Sequence, residues 1–96
     1  MVIKIEELYW KEHLEDKILR HGVTPEEVEE VIWDGKPEVR KKSDNRYLLW
    51  GQSEDGRYLF IVLDRKNPGT RYVPVSARDM TQKEKQGYKK RNAKKS

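Results

Sequence analysis

Residues 71–85 read RYVPVSARDMTQKEK, a stretch that gathers arginines, lysines, a tyrosine and a glutamate between a strand-like segment and a helix start. Arg78 is the side chain best suited to phosphate chemistry. It follows the strand and precedes a helix whose free N–H groups also favour anions, and its planar fork stays charged while holding two oxygens. Period-two alternation puts it on one strand face with Tyr72 and Ser76. The alternative is a surface arginine paired with Asp79. Arg57, one hairpin away at the start of the central strand, is a second cation, or simply the edge charge of a hairpin.

Glu84 and Tyr88 stand four apart and share a helical face, with Arg91 near the same line, so they offer a base and an acid close to Arg78. Each also has a structural use: Glu84 closes a capping box on Thr81, and Tyr88 pins the helix to the sheet. Arg71 and Tyr72 enter the last strand where a polyanion strand would touch them, although Arg71 alternates with Val73 and Val75 and can snorkel from the core edge. Lys83, Lys85, Lys89, Lys90 and Arg91 extend the basic surface. His21 lies at a helix C-terminus, where imidazole complements free carbonyls, and His13 sits on an exposed acidic helix, so neither is a favoured catalyst. With two isolated histidines and no cysteine, no metal site, disulfide or cofactor is expected.

These side chains need a platform. Trp10, Leu14 and Ile18 are spaced as one helical stripe that His21 continues, and Gly22 stops it. Thr24, Pro25 and Glu27 form a helix start, so residues 25–33 are predicted helical, with Val28, Val31 and Ile32 buried. VIKI is a possible first strand. EVRKK, RYLLWGQ and RYLFIVLD read as strands, the last two joined through the Asp55-Gly56 turn. KNPG leads into TRYVPVSAR, where Pro74 predicts an edge position or a bulge. Thr81 and Glu84 open a final helix over about 81–90 that has little apolar surface. The fold class is α+β: two short N-terminal helices, an antiparallel meander sheet of about four strands and a C-terminal helix. Residues 1–91 form one domain and 92–96 a basic frayed tail.

The chain has 96 residues and a net charge of +4, and its charge is segregated. Acidic residues dominate the charges of 1–39, basic ones prevail over 40–81, and all but one of the charged residues of 82–96 are basic. A basic half of this kind attracts polyanions, nucleic acid first among them. No stretch approaches the roughly 18 apolar residues of a membrane span, so a cytoplasmic protein is expected.

HGVTPEEVEEV (21–31), the glycine-spaced GRYLFIV pattern (Gly51, Gly56 to Val62) and VSARDMTQKEKQGY (75–88) resemble BrnT-type toxins of bacterial toxin–antitoxin pairs. That resemblance, over roughly residues 20–88, implies a RelE-like fold and a ribonuclease silenced by a cognate antitoxin, through which it could dimerise. Metal-free RNA cleavage needs a base for the 2′-OH proton, cations for the phosphorane and an acid for the leaving oxygen. Arg78, Arg57, Glu84 and Tyr88 are the candidates. A second reading keeps the fold as a non-catalytic RNA-binding or antitoxin-binding module, and a third is a protein-interaction module using the acidic helices. A tight cluster of Arg78, Glu84 and Arg57 would favour cleavage; aromatics exposed beside the basic strand would favour binding.

Overall fold

Gly22 and Thr24 turn the chain between its first two helices. The computed structural model describes residues 3–66 and 69–93. Helix α1 (Glu12–Arg20) ends where Gly22 adopts φ 81°, a conformation that costs glycine nothing. There the Gly22 N–H donates to the Leu19 carbonyl at 2.9 Å and the Val23 N–H to that of Ile18 at 3.3 Å, a Schellman closure. Ile18 and Val23 are both fully buried and seal it. Helix α2 (Pro25–Trp33) then starts in a capping box, with the Glu27 N–H donating to Thr24 Oγ1 at 3.2 Å and the Thr24 N–H to Glu27 Oε1 at 3.0 Å. Its bounds are those read from the sequence.

Five strands follow the spatial order β1-β5-β4-β3-β2. Strands β2 (Glu38–Lys41), β3 (Arg46–Gln52), β4 (Tyr58–Lys66) and β5 (Arg71–Asp79) form the expected antiparallel meander. Strand β1 (Glu7–Leu8) lies parallel to β5, with Glu7 opposite Arg71 and Leu8 opposite Tyr72, so the sheet is mixed rather than wholly antiparallel and the N-terminal strand adds a fifth to the expected four. The N-terminal strand is not in VIKI. Ile3 and Ile5 pack against the core without regular structure, and backbone pairing starts later, with the Glu6 N–H donating to the Thr70 carbonyl at 3.0 Å and the Tyr9 N–H to that of Tyr72 at 2.8 Å. A two-residue strand has no alternation by which to be read. Val2 and the Asn67-Pro68 centre of the KNPG turn lie outside the described residues.

One irregularity in β5 decides which residues share a face. Val62 is opposite Ser76 but Leu63 is opposite Pro74, so Val75 is an unopposed bulge residue beside a proline that has no N–H to give the ladder. The extra residue shifts the alternation by one. Tyr72 and Ala77 therefore join Tyr47, Leu49, Leu59, Ile61 and Leu63 on the face covered by α1 and α2, where the core lies. Gly51 fits there because a Cβ would stand 2.8 Å from Val31 Cγ1, too close for α2 to keep its seat. Arg78 projects from the opposite face. Contrary to the simple alternation, it does not share a face with Tyr72.

Helix α3 (Gln82–Ala93) crosses that second face. It is held by a second capping box, with the Thr81 N–H donating to Glu84 Oε1 at 2.8 Å and the Glu84 N–H to Thr81 Oγ1 at 3.1 Å. Tyr88 is buried and meets Tyr58 edge to face, ring centroids 5.9 Å apart. Asn92 and Ala93 still belong to the helix, two residues beyond the expected domain end, and residues 94–96 of the expected tail lie outside the described residues.

Candidate functional site

The bulge delivers Arg78 to a floor of aromatic rings. Arg78 is opposite Phe60, which is opposite Trp50, so the three stand in a row across β5, β4 and β3. The guanidinium carbon of Arg78 is 4.4 Å from the Phe60 ring centroid, and the Phe60 and Trp50 centroids are 5.1 Å apart. A delocalised cation over a ring face is attracted by its quadrupole, which orients the fork. From β2, Arg40 stacks on the Trp50 ring at 5.6 Å.

Glu84 ties this row to α3. Its carboxylate accepts from Arg78 Nη1 at 2.7 Å and Nη2 at 3.2 Å, from Trp50 Nε1 at 3.2 Å, and from the Thr81 backbone N–H. The Arg78 hydrogen bonds above all hold its pKa down at about 2, against the opposing effect of burial and with help from the Thr81 and Trp50 donors. In this state Glu84 is a counterion and a cap, and a weak base.

Between α3 and the β2–β3 edge lies an open groove of about 460 Å³ lined by Arg40, Trp50, Lys83, Glu84 and Arg91 among others. Three of those five side chains are cationic. Arg91 leans on Glu38 of β2 at 2.7 Å, leaving Arg40 and Lys83 as the cations of the groove with no ion pair among the described residues. Lys85 and Lys89 lie over the Tyr58 ring at 5.3 and 5.1 Å, and Lys90 is exposed on the same helix. The groove thus combines cations on β2 and α3 with the Trp50 ring between them, and Arg78 of β5 adjoins it through its hydrogen bonds to Glu84.

The other expected residues fall elsewhere. Arg57 is on the core-side face, where Nε and Nη2 donate to Asp79 at 2.7 and 3.1 Å and Nη1 donates to the Gly22 carbonyl at 2.7 Å and to Glu27 Oε1 at 3.0 Å. Those hydrogen bonds, that to Asp79 foremost, raise its pKa further, so Arg57 clamps the α1–α2 turn to the end of β5. It does not join Arg78 and Glu84. Tyr72 is 4% exposed, packed edge to face on Tyr47 at 5.7 Å, and burial raises its pKa; no RNA strand can reach it. Arg71 pairs with Glu7 at 3.1 Å at the far end of β5. Tyr88 is 6% exposed and its phenol is pushed up by burial, which fits the anchoring use and opposes that of a proton donor to a substrate. His13 and His21 are exposed on α1 and at its C-terminal cap.

Arg40, Trp50 and Phe60 were not singled out from the sequence. Their signal was present: RYLLWGQ and RYLFIVLD carry large apolar or aromatic residues at both alternations, which a strand does when both faces are covered. Among the described residues, no three or more of His, Asp and Glu converge as metal ligands, and no helix is long and apolar enough to cross a membrane. The chain matches no protein-family model and no curated protein.

Proposed function

We propose that this chain binds single-stranded RNA in the groove between α3 and the sheet, as the RNA-directed member of a toxin–antitoxin pair of the BrnT type it resembles. The observation that carries the reading is that Arg40 and Lys83 line the groove with Trp50, while Arg78, stacked on Phe60, joins it through Glu84. Phosphates would lie on the cations, and unstacked bases on the rings, an arrangement that every base can use because each has a π-face. Phosphate would compete with Glu84 for Arg78, so binding exchanges one anion for another rather than desolvating a free cation. The resemblance adds a cytoplasmic site of action and a cognate antitoxin; one that silences the protein is expected to cover Arg40 and Arg78. The test is titration of a labelled 12-nucleotide RNA at several salt concentrations. A logarithmic slope near −0.7 for each phosphate neutralised supports the reading, and binding indifferent to salt overturns it.

Cleavage is the second reading, favoured by one observation: Arg78 and Glu84 touch directly. A phosphate that takes over the Arg78 fork neutralises the cation that keeps Glu84 acidic, and the carboxylate becomes a better base as substrate arrives. Glu84 would then accept the 2′-OH proton while the 2′-oxygen bonds to phosphorus. The P–O5′ bond breaks, Arg78 stabilises the phosphorane, and solvent protonates the leaving oxygen. Products ending in a 2′,3′-cyclic phosphate, formed by pure protein in EDTA, support this chemistry; intact RNA under conditions where it is bound leaves the protein as a binding module.

A further inference from the structure

On the face of the sheet away from the RNA groove there is a second cavity, of about 370 Å³, at the end of α2. Ile3 and Ile5 of the N-terminal segment, Ile32 and Trp33 of α2, and Val39 and Leu49 of β2 and β3 line it. Val39 and Leu49 are directly opposite each other in the sheet, and of the two Val39 is the part-exposed one, Leu49 being fully buried. Trp33 remains 46% exposed beside it, the largest apolar ring the described residues leave to solvent. The cavity is in the size range of small-molecule sites, which are mostly apolar with a few placed polar groups.

Here the polar group is Lys36, the one charged residue of the lining. It is also the one non-glycine among the described residues with positive φ, 44°, immediately after Gly35. A glycine would adopt that backbone without strain, whereas lysine does so rarely, which makes Lys36 an uncommon choice at the cavity rim. Among the described residues Lys36 has no ion pair or hydrogen bond. The nearest acids in sequence do not pair with it: Glu38 is engaged by Arg91, and Asp34 makes no ion pair with Lys36 among the described residues.

We infer that this cavity is a binding site for a small amphiphilic organic anion, its apolar body on Trp33, Ile5 and Val39 and its carboxylate on Lys36. Charge complementarity selects the anion, and the near absence of other polar groups selects the apolar body. The site is independent of the RNA groove, since no residue lines both.

The test uses the whole chain labelled with ¹⁵N and titrated with decanoate and, separately, with uncharged decanol. Amide shifts are expected at Ile5, Lys36, Val39 and Leu49 and at the Trp33 indole N–H, with decanoate binding more tightly. Lys36→Gly relieves the backbone and keeps the fold, and is expected to weaken decanoate about fourfold, in the range of an exposed ion pair, without changing decanol. Val39→Phe, on a short edge strand, is expected to abolish both ligands and leave RNA binding intact. Shifts centred on the α3 groove overturn the inference, as does a Lys36→Gly chain that binds decanoate as well as the parent. The same peaks moving when unliganded protein is concentrated would assign the cavity to a second copy and overturn it equally.

Discussion

Arg78 and Glu84 face each other across the junction of β5 and α3, joined by two hydrogen bonds of 2.7 and 3.2 Å. The same carboxylate caps α3 and orients the Trp50 indole. One pair therefore couples the fold to the candidate site, and its charge state controls both.

Acid is expected to loosen this junction. Glu84 has a folded pKa of about 2, below its ordinary value of 4.5, so its contribution to stability is fully present above that ordinary value and is lost as the pH falls through the folded one. The contribution is on the order of 2 kcal/mol once solvent screening at the half-exposed Arg78 is allowed for. Thermal melts between pH 6 and 2 are expected to show a falling Tm that Glu84→Gln reduces in slope. An unchanged slope in that variant would detach Glu84 from the acid response.

Glu84→Gln at neutral pH separates the two uses of the groove. Removing the carboxylate charge frees Arg78 for phosphate, so RNA affinity is expected to rise severalfold even as the protein loses part of the pair's stabilisation. If Glu84 is a base, cleavage falls while affinity rises. Affinity that drops in parallel with cleavage would mean that Glu84 holds RNA rather than competes with it.

How much of this was legible in the sequence differs by element. The α2 bounds and both capping boxes could be read from Thr24, Pro25, Glu27, Thr81 and Glu84, because a cap is a local pattern within four residues. The Asp55-Gly56 hairpin was equally local, and Gly56 has the φ of 85° that it requires. Strand β1 was not, since it exists only through pairing with residues 64 positions away. Nor was the face that Arg78 occupies. Pro74 announced a bulge, but a bulge one residue earlier or later would have changed which side chains meet, and only the β4–β5 register fixes it at Val75. Arg57 stood as the second cation beside Arg78 because alternation within one strand does not say which face of the sheet it shares with a residue on another strand.

The lysines of α3 are expected to act on RNA together. Replacing Lys83, Lys85, Lys89 and Lys90 with alanine should flatten the salt dependence by about 0.7 in slope for each phosphate that is no longer neutralised. The stability cost should be confined to the stacking of Lys85 and Lys89 on Tyr58, about 0.5–1 kcal/mol each at such sites, because Lys83 and Lys90 are exposed and make no such contact. RNA binding whose salt slope survives all four changes would remove α3 from the interface.

The two arginines give the sharpest contrast. Arg78→Ala is expected to abolish RNA binding in the groove, and cleavage with it, while lysine restores only part because a point charge cannot grip two oxygens. The substitution is not free of structural cost: Arg78 holds Glu84 and lies on Phe60, so about 1–2 kcal/mol of stability goes with it. Arg57→Ala should do the reverse. It removes a hydrogen-bonded clamp on Glu27, Asp79 and the Gly22 carbonyl, and leaves Glu27, whose side chain is 19% exposed, without its cation. A loss of about 3 kcal/mol is expected, near the lower end for breaking a buried pair, because Asp79 can still be solvated. Measured on the fraction that remains folded, RNA affinity should be unchanged. Melts and titrations on both variants decide the matter: a stable Arg57→Ala protein that no longer binds RNA would move the site to the core-side face and reverse the assignment made from the bulge.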